Sequence, residues 1–113
     1  MDVERLKEAG INYDDGVKKF AGKAELYERF LLEFLDEPHF AQMIDEINQN
    51  DIDSAFKTAH ALKGVVGTLG MDDLYQCLFQ LVEALRNKEQ DKVEVYFAQI
   101  QKEYDRVYEG IKG

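Results

Sequence analysis

The sequence predicts an all-α fold, an antiparallel up-and-down four-helix bundle with a short N-terminal helical addition. Apolar residues recur at three- and four-residue spacing in the long segments, and no segment shows the two-residue alternation of a half-buried strand. Short connections between such helices favour antiparallel packing of neighbours. A length of 113 residues with 45% hydrophobic side chains suits one core, so we expect residues 1–113 to form a single domain.

Glycines and the only proline divide the N-terminal half of the chain. Residues 2–9 predict one or two helical turns that end before Gly10. An apolar stripe after the break at Gly22 predicts the first long helix. Pro38 suits the first turn of a second helix, which runs to about Asn48, because the missing N–H is not needed there. The two stripes are Leu26, Tyr27, Phe30, Leu31, Phe34 and Leu35, then Phe40, Met43, Ile44 and Ile47.

The C-terminal half predicts three further helices. Asp51 is a good N-cap for the first of them, and Gly70 can adopt the left-handed conformation that follows its end. Asp72 or Asp73 is expected to cap the next helix, which ends at Asn87, and the last segment is a long amphipathic helix. The three stripes are Ile52, Ala55, Ala59, Leu62, Val66 and Leu69; Leu74, Cys77, Leu78, Leu81, Val82 and Leu85; and Val93, Phe97, Ile100, Tyr104, Val107 and Ile111.

Composition and charge exclude several classes of partner. The net charge is -9, so a nucleic-acid backbone or an anionic membrane surface would repel most of the molecule. No signal peptide and no run of about 18 apolar residues is present, which favours a soluble protein. Cys77 is the only cysteine, so we expect a buried, inert thiol and a cytoplasmic location.

One helix face carries an unusual set of residues. Gly64 and Gly67 lie inside the third predicted long helix, where each glycine costs about 1 kcal/mol relative to alanine. At 100° per residue, these glycines share the face opposite the apolar stripe with His60 and Lys63, so His60 should point to solvent. A bulky side chain at position 64 would lean over the imidazole, whereas glycine leaves the ring open. Gly67 should extend this strip by one turn, which favours close approach of another protein.

The same face offers the chemistry of phosphoryl transfer. A neutral imidazole is nucleophilic near physiological pH, and the phosphoramidate that it forms can pass the phosphoryl group on. Lys63 is a surface neighbour of His60 at three-residue spacing, so its ammonium could offset the charge of the phosphoryl group. Phe56 lies one turn before His60, and the pattern leaves docking and core packing equally open for it.

His60, Lys63, Gly64, Gly67 and Gly70 form the pattern H-x-x-K-G-x-x-G-x-x-G, and with it the chain resembles the histidine-containing phosphotransfer (HPt) family over nearly its whole length. The resemblance implies that His60 accepts a phosphoryl group from a receiver-domain aspartate or a kinase, with Lys63 and Gly64 taking the family's stabilising and docking roles. It also implies that the partners are receiver domains of response regulators or hybrid histidine kinases. The chain itself would need no cofactor, since any Mg²⁺ would belong to the receiver.

The sequence departs from the family at one position. Many members place a Gln or Glu on the next helix to hydrogen-bond the second ring nitrogen of the histidine, and by count that position is Val82 here. Gln80 or Glu83 could serve if the register of that helix differs. The residue that orients the ring therefore stays unassigned.

Other functions fit the sequence less well. No ATP-binding or kinase motif is present, so the chain is expected to be a phosphoryl carrier and a monomer rather than a true enzyme. A di-iron site would need Glu-x-x-His pairs, but Lys57 and Asp36 stand three residues before the two histidines, and His39 is assigned no function. The alternative is a non-catalytic helical adaptor that docks signalling partners.

The aromatic side chains expected to fill the core are Phe30, Phe34, Tyr96, Phe97 and Tyr104.

Overall fold

The computed structural model describes all 113 residues, which form seven α-helices, one short 3₁₀ turn and no strand. The helices are α1 (Val3–Glu8), α2 (Tyr13–Lys19), α3 (Ala24–Glu33), α4 (His39–Asn48), α5 (Ile52–Thr68), α6 (Asp72–Arg86) and α7 (Gln90–Lys112), and the 3₁₀ turn is Phe34–Asp36. The predicted all-α class is confirmed. None of the helices combines the length and the apolar character that crossing a membrane requires.

Consecutive long helices pack against one another. Helix α5 lies between α4 and α6, and α6 packs in turn against α7. Helix α7 also contacts α1, α3 and the 3₁₀ turn, and the Phe40 ring of α4 stacks on the Tyr104 ring of α7 at 3.7 Å between centroids. The antiparallel up-and-down order of four helices stays a prediction.

The predicted stripes of α5, α6 and α7 form most of a single core of 24 buried residues. Phe34 and Tyr104 are buried as expected, and Tyr96 and Phe97 are only half-buried. The prediction that Phe30 fills the core is wrong. Its side chain is 41% exposed and packs at the surface on the Phe20 ring, which comes from the short N-terminal elements. Cys77 is half-buried, and this burial raises the pKa of its thiol.

The ends of α5 follow the sequence prediction, whereas the start of α6 does not. The Asp51 carboxylate accepts the Ser54 N–H at 3.3 Å, and Gly70 has a φ of +71°. The Met71 N–H then donates to the Val66 carbonyl at 3.0 Å, so α5 ends in a Schellman turn. The prediction that Asp72 or Asp73 caps α6 is wrong, because Met71 occupies that position without a side-chain hydrogen bond.

The sequence reasoning missed helix α2. The Asn12 side chain caps it by accepting the Asp15 N–H at 3.1 Å, but Gly16 in its middle weakens the helical pattern. A Cβ atom at position 16 would overlap the Tyr27 ring of α3, so the glycine allows α2 and α3 to pack closely. Tyr27 is fully buried, and its hydroxyl donates to the Leu69 carbonyl at the end of α5 at 2.6 Å.

Replacing Tyr27 with Phe should lower the free energy of unfolding by about 1 to 2 kcal/mol, because the Leu69 carbonyl would stay buried without its donor. Chemical denaturation followed by circular dichroism measures this change. Tyr13→Phe is the matched control, since the Tyr13 hydroxyl donates to the half-buried Glu28 carboxylate, which water can reach, and should have the smaller effect.

Wild type and Tyr27→Phe should also differ in how their free energy of unfolding depends on pH in alkali. Burial raises the pKa of Tyr27 above its ordinary value of 10.0, so the folded protein retains a proton that the unfolded chain releases. This contribution to stability is complete below about pH 10 and is lost as the pH rises toward the folded-state pKa. Wild type should therefore lose stability above pH 10 more steeply than Tyr27→Phe. If the free energy of unfolding fell with pH in the same way for both proteins, Tyr27 would not titrate as expected.

Candidate functional site

His60 lies on the outer face of α5, where its side chain is exposed to solvent as predicted. The residues beside it in sequence, Ala59 and Ala61, are both small. The Phe56 ring lies one turn earlier, with its centroid 6.3 Å from that of the imidazole. Phe56 is half-buried and packs against the core, so it contributes both to packing and to the surface around His60.

The surface one turn after His60 is open. Gly64 is exposed, and a Cβ atom built on it would meet nothing within 4 Å. Because a helical side chain leans toward the preceding turn, the bare backbone at position 64 leaves space over the imidazole. The open surface that the sequence predicts at Gly64 is therefore present.

The prediction that this open strip continues to Gly67 is wrong. Gly67 is half-buried, and an added Cβ would lie 3.2 Å from the Tyr75 ring, which projects from the first turn of α6. The Lys19 ammonium of α2 also donates to the Gly67 carbonyl at 2.7 Å. The small residue at position 67 thus lets Tyr75 and Lys19 pack on α5, and the docking role expected for Gly67 stays a prediction.

Two cations lie over aromatic rings across the α5–α6 contact, at Lys63 one turn after His60 and at Phe56 one turn before it. The Lys63 ammonium of α5 is 5.3 Å from the ring centroid of Phe79 on α6. The Arg86 guanidinium of α6 is 5.4 Å from the ring centroid of Phe56 on α5, and it also pairs with Glu83 at 2.8 Å. The α5–α6 contact therefore brings both cations to the surface that carries His60.

Sequence reasoning missed Phe79 and Arg86 as part of this surface. Both lie on the outer face of α6, and only the packing of α6 on α5 brings them close to the motif. The spacing of Phe79, Glu83 and Arg86 by four and three residues was the available signal, because it places them on one face of the helix.

The position expected to orient the His60 ring is unsuitable here. Val82 is fully buried on the inner face of α6, while Glu83 is engaged by Arg86 and Gln80 is exposed. The second histidine does have a carboxylate partner for its ring. His39 Nδ1 lies 2.7 Å from the Glu37 carboxylate near the start of α4. No group of three or more His, Cys, Asp or Glu side chains is arranged to hold a metal ion.

A groove of about 830 Å³ begins beside Gly64 and runs between α5 and the region of α3 and the 3₁₀ turn. The aromatic side chains of Phe20 and Phe30 contribute to its apolar lining, which explains why Phe30 is exposed. Its acidic lining residues are Glu33, Asp36 and Glu37. A partner that covers His60 would meet this groove next. The sequence did not predict it, because its two walls are distant in the chain.

Comparison with models of known protein families gives a match to the Hpt domain over residues 25–110. Comparisons with curated proteins and with solved structures gave no match. The matched range covers well over half of the chain and contains α4, α5 and α6 completely, with nearly all of α3 and α7. It includes His60, Lys63 and Gly64 with the surface described above. The chain therefore belongs to the Hpt domain family.

Proposed function

We propose that this protein is a histidine phosphotransfer protein of a two-component phosphorelay and carries a phosphoryl group on His60. The observation that carries the proposal is the exposed imidazole of His60 beside the bare backbone of Gly64, in a chain of the Hpt domain family. The expected form is a monomeric bundle that acts in the cytoplasm.

The proposed reaction exchanges one phosphorus bond for another. The lone pair of the His60 Nε2 attacks the phosphorus of an aspartyl phosphate, the N–P bond forms as the O–P bond breaks, and the aspartate leaves as a carboxylate. A neutral imidazole with its proton on Nδ1 is the nucleophile, and the phosphorylated ring carries a positive charge until that proton is lost. The reverse reaction passes the phosphoryl group to the next aspartate. The chain supplies the histidine, and any Mg²⁺ would belong to the receiver domain.

Lys63 and Arg86 are the cations available to stabilise the transferred group. Lys63 lies three residues after His60 and has no carboxylate within 4.0 Å, so its charge is free to meet a phosphoryl group. Arg86 is partly neutralised by Glu83, and its contact with Phe56 keeps it at the edge of the same surface. We therefore assign the main stabilising role to Lys63.

A receiver domain is the proposed partner, and the open surface at Gly64 is where its aspartate would reach His60. The adjoining groove offers apolar contacts through Phe30 and an acidic wall that includes Glu33 and Asp36. Phe56 would contact the partner on the other side of His60. These features favour a receiver whose docking surface combines apolar and basic side chains.

The alternative is an adaptor that docks the same partners without transferring phosphate. The observation that favours it is the buried Val82, which removes the usual means of orienting the histidine ring. Phosphorylation of His60 separates the two functions, because the adaptor needs no labelled histidine.

Incubation with phosphorylated receiver domains should label the protein at His60 alone, since only this histidine combines exposure with an open approach. The product should be acid-labile and alkali-stable, and phosphate-affinity electrophoresis measures it. His60→Gln should abolish the labelling, whereas His39→Gln should leave it unchanged. Labelling of His60→Gln would refute the assignment.

Lys63→Ala should slow transfer to His60 by roughly tenfold, the size expected for the loss of one charge-assisted hydrogen bond. Rapid-quench measurement with one phosphorylated receiver gives the rate. The matched control is Lys102→Ala on α7, which removes an exposed charge outside this site. A Lys63→Ala protein that matches wild type in rate would remove Lys63 from the mechanism.

Gly64→Gln should block transfer and yet raise the free energy of unfolding by about 0.5 to 1 kcal/mol. The new side chain leans over His60, while a helix-interior glycine is removed and the added Cβ meets no neighbour. Thermal unfolding and the transfer rate are measured on the same samples. Gly64→Ala is the graded control, with a similar gain in stability and a smaller loss of transfer. Full transfer in Gly64→Gln would exclude the access mechanism.

A further inference from the structure

Phe79 is an aromatic residue that α6 exposes at the surface of the bundle. Its side chain is 45% exposed, whereas the inner face of α6 is buried in the core of the bundle. The Lys63 ammonium is 5.3 Å from the centroid of the Phe79 ring. A cation over an aromatic face is attracted by the ring quadrupole without losing its charge. The pair crosses from α5 to α6 at a point three residues after His60 along α5.

The charge of the protein makes this contact important for Lys63. The net charge is -9, and Glu83 lies one turn beyond Phe79 on the same helix. Glu83 is paired with Arg86 at 2.8 Å, whereas Lys63 has the Phe79 ring as its neighbour and no carboxylate within 4.0 Å. A ring at this position therefore keeps the ammonium at the α5–α6 contact without a carboxylate partner.

We infer that Phe79 is a positioning residue, whose ring holds the Lys63 ammonium beside His60 and away from carboxylates so that it is free to stabilise a phosphoryl group. This inference rests on the proposed function. Without the ring, the flexible Lys63 side chain would sample more rotamers and could pair with Glu83. Phosphorylated His60 would then lose part of its electrostatic stabilisation.

The position of Lys63 is tested first, in the unphosphorylated protein. Ring current should shift the ε-methylene protons of Lys63 upfield in the NMR spectra of wild type and of Phe79→Tyr. In Phe79→Leu these protons should have the chemical shift of an ordinary exposed lysine. An unshifted Lys63 in wild type would overturn the inference.

The effect on the phosphorylated protein is measured without any partner. Potassium phosphoramidate serves as the donor: its P–N bond breaks and ammonia leaves as the bond from phosphorus to the His60 nitrogen forms. The hydrolysis of phosphorylated His60 is then followed by ³¹P NMR. Phe79→Leu should shorten its lifetime roughly threefold, the size expected for one exposed cation–π contact, while Phe79→Tyr should keep the wild-type lifetime.

A double-mutant cycle assigns the effect to Lys63. In a Lys63→Met background, Phe79→Leu should leave the lifetime unchanged, because the cation that the ring holds is absent. An equal loss in both backgrounds would overturn the inference and indicate a general packing role. An unchanged lifetime with slower transfer from a receiver would also overturn it, and would make Phe79 a docking residue.

Failure of the proposed function gives a different result. If neither phosphoramidate nor any phosphorylated receiver labels His60, the phosphotransfer proposal fails. The NMR comparison of wild type, Phe79→Tyr and Phe79→Leu still decides whether the ring positions Lys63. Leu32→Ala is a control for the removal of an exposed apolar side chain, since Leu32 lies on α3 outside this site and should change neither readout.

Discussion

Helix α5 has to bury one face completely and leave the opposite face open beside His60. Its inner face places Leu62 and Val66 in the core with no exposed surface, and burial of side chains of this size contributes about 1.5 to 3 kcal/mol each. Its outer face carries Gly64, whose cost in helix propensity is about 1 kcal/mol. The free energy gained by burying the inner face thus offsets the helix-propensity cost of Gly64. A helix with a weaker apolar stripe could not keep its backbone open beside His60 without loss of stability.

The contact between α5 and α6 assembles the rest of the site. Lys63 of α5 lies over a ring of α6, and Arg86 of α6 lies over a ring of α5. Aromatic rings suit this purpose in an acidic protein, because they attract a cation and leave its charge available to a ligand. A carboxylate in the place of Phe79 would bind Lys63 more tightly and, under the proposed function, would compete with the phosphoryl group.

Hydrophobic periodicity predicted most of the helices and the exposed position of His60, because both depend on neighbours along the chain. The errors share a different origin. Helix α2 was missed because Gly16 serves the packing of Tyr27, and the strip ends before Gly67 because Tyr75 covers it. The exposed Phe30 belongs to a groove whose walls come from separate segments. Each of these features depends on a contact between different helices, which the pattern of one helix does not contain.

The N-terminal elements, most of which precede the matched range of residues 25–110, stabilise the end of the helix that carries His60. The last carbonyl groups of a helix lack partners within it. At the end of α5, Lys19 donates to the carbonyl of Gly67, the Tyr27 hydroxyl donates to that of Leu69, and the Asn12 N–H donates to that of Gly70 at 2.7 Å. Because these bonds begin three residues after Gly64, they fix the backbone next to the open surface. A docking partner would therefore meet a surface of defined shape.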